Sequence, residues 1–498
     1  MAVATTNQPP PLRDYNLVAG NAPLLESLRR EGAAWAEDEL LAFGAELGGA
    51  PLEWGRLANE HPPVLHGHDH VEFHPAWDSL LALGVRAGLQ RPGSHVARAA
   101  KFFALTQVEA GVGCPLSMTH AAVPTLRVEP ALAAEWEPRV LAGQAFIGMG
   151  MTERQGGSDV RANETEARPA GGREATLHGH KWFCSAPMSD AFLILAQAPG
   201  GLSCYLVPRA SDGIVIERLK NTLGHRANAS SEITLDGARG SLVGEEGRGV
   251  ATIIEMVVNT RLDCVVGSAA LMREAVAQAT HHCAHRAAFG KLLAEQPLMR
   301  NVLADLCVES EAATLSAFRL ARAFDEGDEL RRVATAVLKY WVCKRTAAVA
   351  GEALECIGGN GYVETDSVLP RLYRESPLNS IWEGSSNVQC LDVLRALRRE
   401  PDAAECFLAE LEEPDRRRVE RALAGADEEG ARRLVETMAV ALQASLLDRH
   451  GDPAVAEAFR AREPFGALGT LRAGLPLAAI VERHRPRPQA EDSTSRPR

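Results

Sequence analysis

The hydrophobic period of this chain switches twice, and few architectures tolerate that. In the first part apolar residues recur at helical spacing: Leu24, Leu25 and Leu28, then Trp35, Leu40, Leu41, Phe43 and Leu47, with a break at Gly32, and the rhythm repeats over 77–89 and 96–112. From about Ile147 the texture is β, with short runs at 175–182, 191–196, 203–207, 214–219 and 232–235, several bounded by Gly, Pro or Asp. The helical period returns at 250–287, 296–324, 330–358 and 387–397, three long helices and a shorter one, enough for a bundle. The fold class is therefore α+β. We expect an N-terminal helical domain (1–146), a small central antiparallel barrel or sandwich (147–246), a four-helix bundle (247–394) and a helical C-terminal extension (395–498) with a disordered Pro/Arg/Ser tail from Arg485.

Composition narrows the partners. A formal net charge of -12 argues against indiscriminate binding to phosphate backbones. No apolar run approaches the roughly 20 residues of a membrane helix, and the N-terminus lacks a charged-then-apolar signal pattern, so a cytoplasmic protein is expected. The 10 cysteines form no Cys-x-x-Cys pair and read as reduced thiols. No metal site is expected either. His66, His68 and His70 lie in a Pro/Gly-rich loop without a Cys or Glu cluster, and His281 and His285 share a helical face without the intervening glutamate of a zinc motif.

Two stretches carry chemistry. Asn-Ser-Ile-Trp-Glu-Gly-Ser-Ser-Asn at 379–387 places Glu383 on the turn entering a helix, beside Trp382 and followed by Gly384 and two hydroxyls. That suits a general base in a tight, partly apolar pocket, although a glutamate near a helix start also serves the helix dipole. In Gly-Met-Gly-Met-Thr-Glu-Arg-Gln-Gly-Gly-Ser-Asp at 148–159, Glu153 stands where the third Gly of Gly-x-Gly-x-x-Gly belongs, so the dinucleotide fingerprint fails. Thr152, Ser158 and the bare backbone of Gly156 and Gly157 still suit a pyrophosphate or the polar edge of a ring, or equally a strand-to-strand turn.

Five motifs in order identify a wider likeness: Met-Thr-Glu-Arg-Gln-Gly-Gly-Ser-Asp at 151–159, Gly-His-Lys-Trp-Phe-Cys-Ser at 179–185, Arg-Ala-Ala-Phe-Gly at 286–290, Gly-Gly-Asn-Gly-Tyr at 358–362 and Ile-Trp-Glu-Gly-Ser at 381–385. Together they resemble the acyl-CoA dehydrogenase superfamily over about residues 100–397. The Gln-Gly-Gly-Ser wording, Trp-Phe-Cys-Ser at 182–185, Tyr-Asn-Leu-Val-Ala-Gly-Asn at 15–21 and the C-terminal extension resemble its AidB branch, flavoproteins of the bacterial response to DNA alkylation.

The resemblance implies FAD. The backbone around Met151 and Thr152 would face the flavin's pyrimidine edge, with Ser158 at the pyrophosphate, and Met149 and Gly157 would also belong to the cofactor-binding set. Phe183 takes the place of a tryptophan lying against the flavin, followed by Cys184, and Ser185 that of a threonine beside the reactive nitrogen. Arg286, Phe289, Gly358 and Gly359 match residues that reach the FAD of a neighbouring subunit, and Trp382, Ser385 and Asn387 flank the catalytic turn. A homotetramer follows, with an acyl-CoA or related thioester as substrate and an acceptor such as an electron-transfer flavoprotein. Glu383 would remove the proton next to the thioester carbonyl. The other position some members use for the base reads Thr260-Arg261, without a carboxylate. Glu355 in place of a family Gln, and Pro297 in place of another, put contacts between subunits in question.

In the AidB branch the extension is implicated in binding double-stranded DNA, which assigns that role to Arg395, Arg398, Arg399, Arg416, Arg417 and Arg418. Residues 395–498 hold 18 Arg against 19 Asp and Glu, so any positive face requires the charges to segregate. A solvated helical cap is the competing reading.

Overall fold

The computed structural model describes residues 7–462 and 467–487. The first part holds seven helices: α1 (Ala22–Arg30), α2 (Glu37–Leu47), α3 (Ala50–Glu60), α4 (Pro75–Arg86), α5 (His95–Val108), α6 (Gly113–Leu126) and α7 (Pro130–Leu141). The Asn21 and Ser94 side chains each accept a backbone N–H at 3.3 Å and start α1 and α5. Gly32 (φ 88°) breaks the run before α2, as its position suggested. The α5 helix ends at Val108 and not at residue 112, because Glu109 turns extended (φ -159°) and buries its carboxylate. The His-rich loop folds as a hairpin, β1 (Val64–His66) with β2 (His70–Glu72). There His66 pairs with Glu72 at 2.7 Å and lies with its ring centroid 5.9 Å from that of His70, while His68 faces the Ile216 carbonyl at 3.3 Å.

The central part has seven strands where five were expected: β3 (Ile147–Gly150), β4 (Glu166–Gly171), β5 (Glu174–Ser185), β6 (Ala191–Ala198), β7 (Gly201–Pro208), β8 (Ile214–Leu219) and β9 (Ser230–Val243). Their order is β3-β6-β4-β5-β9-β7, with β7 returning to β6 and closing a barrel, and β8 added on β9. It is not wholly antiparallel, since β3 and β4 both run parallel to β6. These two strands escape a pattern search because one is a four-residue Gly-rich piece and the other is mostly exposed and carries Pro169. The unbroken apolar run of β6 has a double use. Phe192, Ile194 and Ala196 fill one core, while Ala191, Leu193 and Leu195 pack with Met118, Trp136 and Met256 of the helices.

The bundle is α8 (Gly249–His285), α9 (Pro297–Glu326), α10 (Leu330–Ile357), the short α11 (Leu369–Glu375) and α12 (Ser386–Arg399). A small hairpin, β10 (Ala287–Ala288) with β11 (Lys291–Leu292), caps the end of α8. The extension adds α13 (Pro401–Ala409), α14 (Glu413–Leu423), α15 (Ala431–His450), α16 (Pro453–Ala461) and α17 (Leu477–His484). It is built into the bundle, since Trp341 Nε1 donates to Gln443 Oε1 at 3.0 Å and one hydrophobic core runs from α1 through to α17. The Arg273 guanidinium donates to the His484 carbonyl (2.6 Å) and the Gly20 carbonyl (3.2 Å), and Arg483 pairs with Glu311 (3.0 Å) and Glu26. Arg485 and the two residues after it pack near Gly20, so the tail is ordered further than expected; the rest of it, from 488, lies outside the described residues. Among the described residues no helix is long and apolar enough to cross a membrane.

Candidate active site

A buried lysine holds the turn before α12. Lys339 Nζ, from the middle of α10, donates to the carbonyls of Asn379 (3.1 Å), Trp382 (2.8 Å) and Gly384 (2.8 Å). Trp382 Nε1 donates to Asn379 Oδ1 at 2.9 Å, and Asn379 donates in turn to Ser268 on α8. The clamp keeps Glu383 in the left-handed region (φ 56°), followed by Gly384 (φ 90°). A non-glycine residue held there is typical of functional sites.

The Glu383 side chain meets α8. Thr260 Oγ1 donates to its Oε2 at 2.8 Å, and Arg261 Nε donates to its backbone carbonyl at 2.9 Å while Nη1 reaches Asp392 at 3.1 Å. Burial pushes the Glu383 carboxyl above the ordinary glutamate value, against the lowering effects of Thr260, Lys339 and Arg261. Thr260-Arg261, a stretch without a carboxylate, thus supplies the hydrogen bond to the Glu383 side chain and the support for its backbone.

Around Glu383 the structure gathers several of the expected residues. Met149, Met151 and Trp382 are half-buried against one core that also contains Cys114. Burial, and after it the charge of Glu383, pushes the Cys114 thiol up to about 12. A β-bulge lies between Lys181 and Cys184, both fully buried, where β5 gains one residue on β9. Trp182 and Phe183 therefore both face outward, and Lys220 Nζ sits 3.9 Å and 4.5 Å from their rings. Phe183 is 50% exposed, a free apolar wall next to half-buried Ser185. The Thr152 carbonyl accepts the Trp182 N–H at 2.8 Å. Beside it, a Cβ at Gly157 would come within 2.5 Å of Thr152 Oγ1, so only glycine fits; Ser158 is exposed. Glu153 is consumed internally by fully buried Lys181 (2.6 Å) and the Glu164 and Thr165 N–H groups, pinning this loop to the barrel.

Other expected residues stand elsewhere. Arg286 is on the far end of α8, roughly 40 Å along the helix from Thr260 at 1.5 Å per residue, and its guanidinium donates to the Asn7 carbonyl at 2.6 Å. Phe289 is 100% exposed at the tip of the β10–β11 hairpin (φ 52°), and Gly358 and Gly359 are exposed at the end of α10. Ser385 is the half-buried N-cap of α12, and exposed Asn387 accepts from Arg432 Nε at 2.8 Å. Of the arginines assigned to DNA, Arg416 pairs with Glu405 (2.9 Å) and Glu420 (3.0 Å), and Arg417 with Glu413 (2.6 Å). Arg395, Arg398 and Arg399 are exposed on α12, and Arg418 is half-buried. His281 Nε2 lies 2.9 Å from the Pro10 carbonyl and its ring is 4.5 Å from that of His285.

The sequence reading missed Lys339 and a buried polar cluster behind Trp382. In that cluster Asn59 donates to Glu109 (3.2 Å) and Glu375 (3.4 Å), and His225 stands 3.2 Å from Glu375 and edge-on to Trp382 at 5.2 Å. Burial holds the Glu109 and Glu375 carboxyls above their usual range and takes the His225 imidazole down to about 4. Lys339 had a signal, a lone charge in the apolar run Val-Leu-Lys-Tyr-Trp at 337–341.

Comparison with known proteins agrees with this architecture. Family models match the adaptive response protein AidB N-terminal domain over residues 7–145, the acyl-CoA dehydrogenase middle domain over 148–238 and the acyl-CoA dehydrogenase C-terminal domain over 247–398. The chain is 45% identical over 434 residues to AidB of Escherichia coli (strain K12), covering 79% of this chain and 80% of that one. It is 32% identical over 398 residues to acyl-CoA dehydrogenase family member 11 of Caenorhabditis elegans, covering 72% and 64%. The crystal structure of Caenorhabditis elegans ACDH-11 in complex with C11-CoA superposes with a TM-score of 0.83 at 26% identity, covering 97% of this chain and 93% of that one.

Proposed function

Since the chain belongs to the acyl-CoA dehydrogenase family, FAD-dependent oxidoreductases acting on the CH–CH group of acyl-CoA, and to its AidB branch, we propose that it dehydrogenates an acyl thioester with Glu383 as the general base. One observation carries this reading: a carboxylate raised by burial, given one neutral donor by Thr260 and fixed by a strained turn, next to Trp382, which packs with Met151 on the core that holds Cys114. Desolvation makes such a group a stronger base toward a weakly acidic C–H.

The residues fit FAD. The bulge frees one face of Phe183 for a ring, Ser185 adds a hydroxyl at its edge, and the Gly157–Ser158 loop offers exposed backbone for phosphate. Bound there, FAD would accept the hydride. Thr260 and Lys339 hold Glu383 at its position, and Trp382 keeps water from the carboxylate. A cleft of about 780 Å³ opens beside Arg261 and includes Arg161, Arg248 and Arg331, cations suited to the phosphates of a coenzyme A thioester, while Arg332 in the same lining is paired with Asp392 and Glu400. The bound C11-CoA of the nematode relative supports a ligand of that class.

Arg286 and Phe289 are too far from Thr260 to serve the same chain, which favours a cofactor site shared between subunits of a homotetramer. An electron-transfer flavoprotein in the cytoplasm would complete the turnover. A second reading, duplex DNA on the extension in an alkylation response, has the adaptive-response N-terminal match behind it, while the ion pairs of Arg416 and Arg417 weigh against it.

The decisive experiment is anaerobic. The purified protein should be yellow, acyl-CoAs of a short straight and branched panel should bleach it, and Glu383→Gln should abolish bleaching without loss of flavin. No bleaching of the wild type by any of them would overturn the dehydrogenase reading.

A further inference from the structure

The segment before α1 reaches back to the far end of α8 as a strap. Leu12 and Tyr15 anchor it in the core, with the Tyr15 hydroxyl donating to Glu274 at 3.0 Å, and Pro9, Pro10 and Pro11 stiffen the stretch before them by fixing φ. Three of its residues then meet the end of the bundle. His281 Nε2 faces the Pro10 carbonyl at 2.9 Å, Asn360 Nδ2 donates to Gln8 Oε1 at 3.4 Å, and Asn7 lies against the start of β10. Asn7 makes three bonds there. Its Nδ2 donates to the Ala287 carbonyl and its Oδ1 accepts the Ala287 N–H, both at 2.8 Å, while its own carbonyl accepts from Arg286 Nη1 at 2.6 Å. At φ 65° Asn7 is left-handed, a conformation asparagine adopts more readily than most side chains.

The element that Asn7 holds is incomplete by itself. The β10–β11 hairpin has two residues on each side, its tip residues Phe289 (φ 52°) and Gly290 (φ 77°) are both left-handed, and the Phe289 ring is wholly exposed. A bulky aromatic strained in this way persists where function over-determines it. The hairpin backbone has other supports, since the Leu293 N–H donates to the Arg286 carbonyl at 2.8 Å and Gln296 Nε2 to the Ala288 carbonyl at 3.0 Å. The Arg286 guanidinium does not share them. Among the described residues its one hydrogen bond goes to the Asn7 carbonyl, and no carboxylate pairs with it. A carbonyl orients a guanidinium and leaves its charge free for an anion, whereas a carboxylate in the same place would compete with one. We propose that Asn7 is a positioning residue for the shared cofactor site, aiming Arg286 at the phosphates of an FAD bound in a neighbouring subunit. The inference rests on the reading that assigns Arg286 and Phe289 to that cofactor, and it names what holds them there.

The test dialyses the full-length holoprotein to equilibrium against graded FAD and reads Kd for the wild type, Asn7→Gly, Arg286→Gln and the double variant. Glycine tolerates the left-handed backbone and removes both side-chain bonds to Ala287. We expect each single variant to bind FAD roughly tenfold more weakly, the scale of one charge-assisted hydrogen bond lost or misaligned. The double variant should bind no more weakly than Arg286→Gln alone, because Asn7 acts through Arg286. Asn7→Asp keeps an acceptor for the Ala287 N–H but sets a carboxylate beside Arg286; it should also weaken FAD, and it stands in if the glycine variant does not fold. Wild-type affinity in a folded Asn7 variant, with Arg286→Gln weakened, overturns the inference and leaves the shared site standing. Losses that add in the double variant do the same, since they show a merely structural contact. Wild-type affinity in Arg286→Gln overturns the shared-site reading and the inference together, and the bleaching test of Glu383 is independent of either.

Discussion

Thr260 Oγ1, on α8, donates a hydrogen bond of 2.8 Å to Glu383 Oε2 on the turn before α12. The bond favours the ionised carboxylate, opposing the burial that raises its pKa. The base role proposed for Glu383 requires it to be deprotonated, so the bleaching rate should rise with pH through its pKa. Thr260→Val removes the bond, raises that pKa further and should move the midpoint of the profile to higher pH by up to about one unit. A stopped-flow pH series on both proteins checks the direction; a shift to lower pH contradicts it.

Lys339 should be indispensable to the turn. Lys339→Met would leave the Asn379 and Trp382 carbonyls without their donor, each costing about 1–3 kcal/mol, and the Gly384 carbonyl with Gln389 alone. We expect a lower melting temperature and loss of bleaching even where the variant remains folded. Full activity in Lys339→Met would show that the turn is set by something else.

The bulge at Trp182 and Phe183 predicts a difference between two substitutions. Phe183→Ala should lower the ratio of flavin to protein on gel filtration, since it removes an exposed wall and touches no core. Phe183→Trp should keep flavin bound. Equal retention in all three proteins means the cofactor does not rest on Phe183.

The contact of α17 with α9 carries a pH signature. Burial opposes charge on His484, yet Cys307 and Glu311 raise it to about 10 from 6.5, so its stabilisation is complete below pH 6.5 and fades as pH rises through 10. Burial likewise opposes charge on Glu311, but His484 and Arg483 lower it to about 2 from 4.5, so its share is complete above pH 4.5 and fades toward pH 2. His484→Gln should cost about 3–5 kcal/mol, with the gap in melting temperature widest between pH 4.5 and 6.5 and closing above pH 10. A constant gap would exclude this pair as the origin.

Duplex binding by the extension makes a separate demand. Affinity should fall steeply with salt, and Arg398→Ala with Arg399→Ala should weaken it more than Arg416→Ala with Arg417→Ala, because the latter two are already paired with carboxylates. No retention of duplex at low salt removes the DNA reading.

The long helices were legible because a 3.6-residue apolar period repeats many times in α8, α9 and α10, and Glu383 because its neighbours form a recognisable run. What escaped has physical causes. The β3 and β4 strands take their stability from pairing with β6 and have little apolar pattern of their own. The bulge in β5 shows only as a register slip against β9, and no local pattern announces that Trp182 and Phe183 share a side. His225 looks like an ordinary loop residue until the fold brings it against Trp382.

Arg273, buried in α8, grips one carbonyl before α1 and one at the end of α17. The extension is therefore a keystone and no mere appendage: a protein trimmed after the bundle would unseat its own opening helix. Isolated fragments of this chain should for that reason be poor surrogates for the whole, whichever partner they are used to fish for.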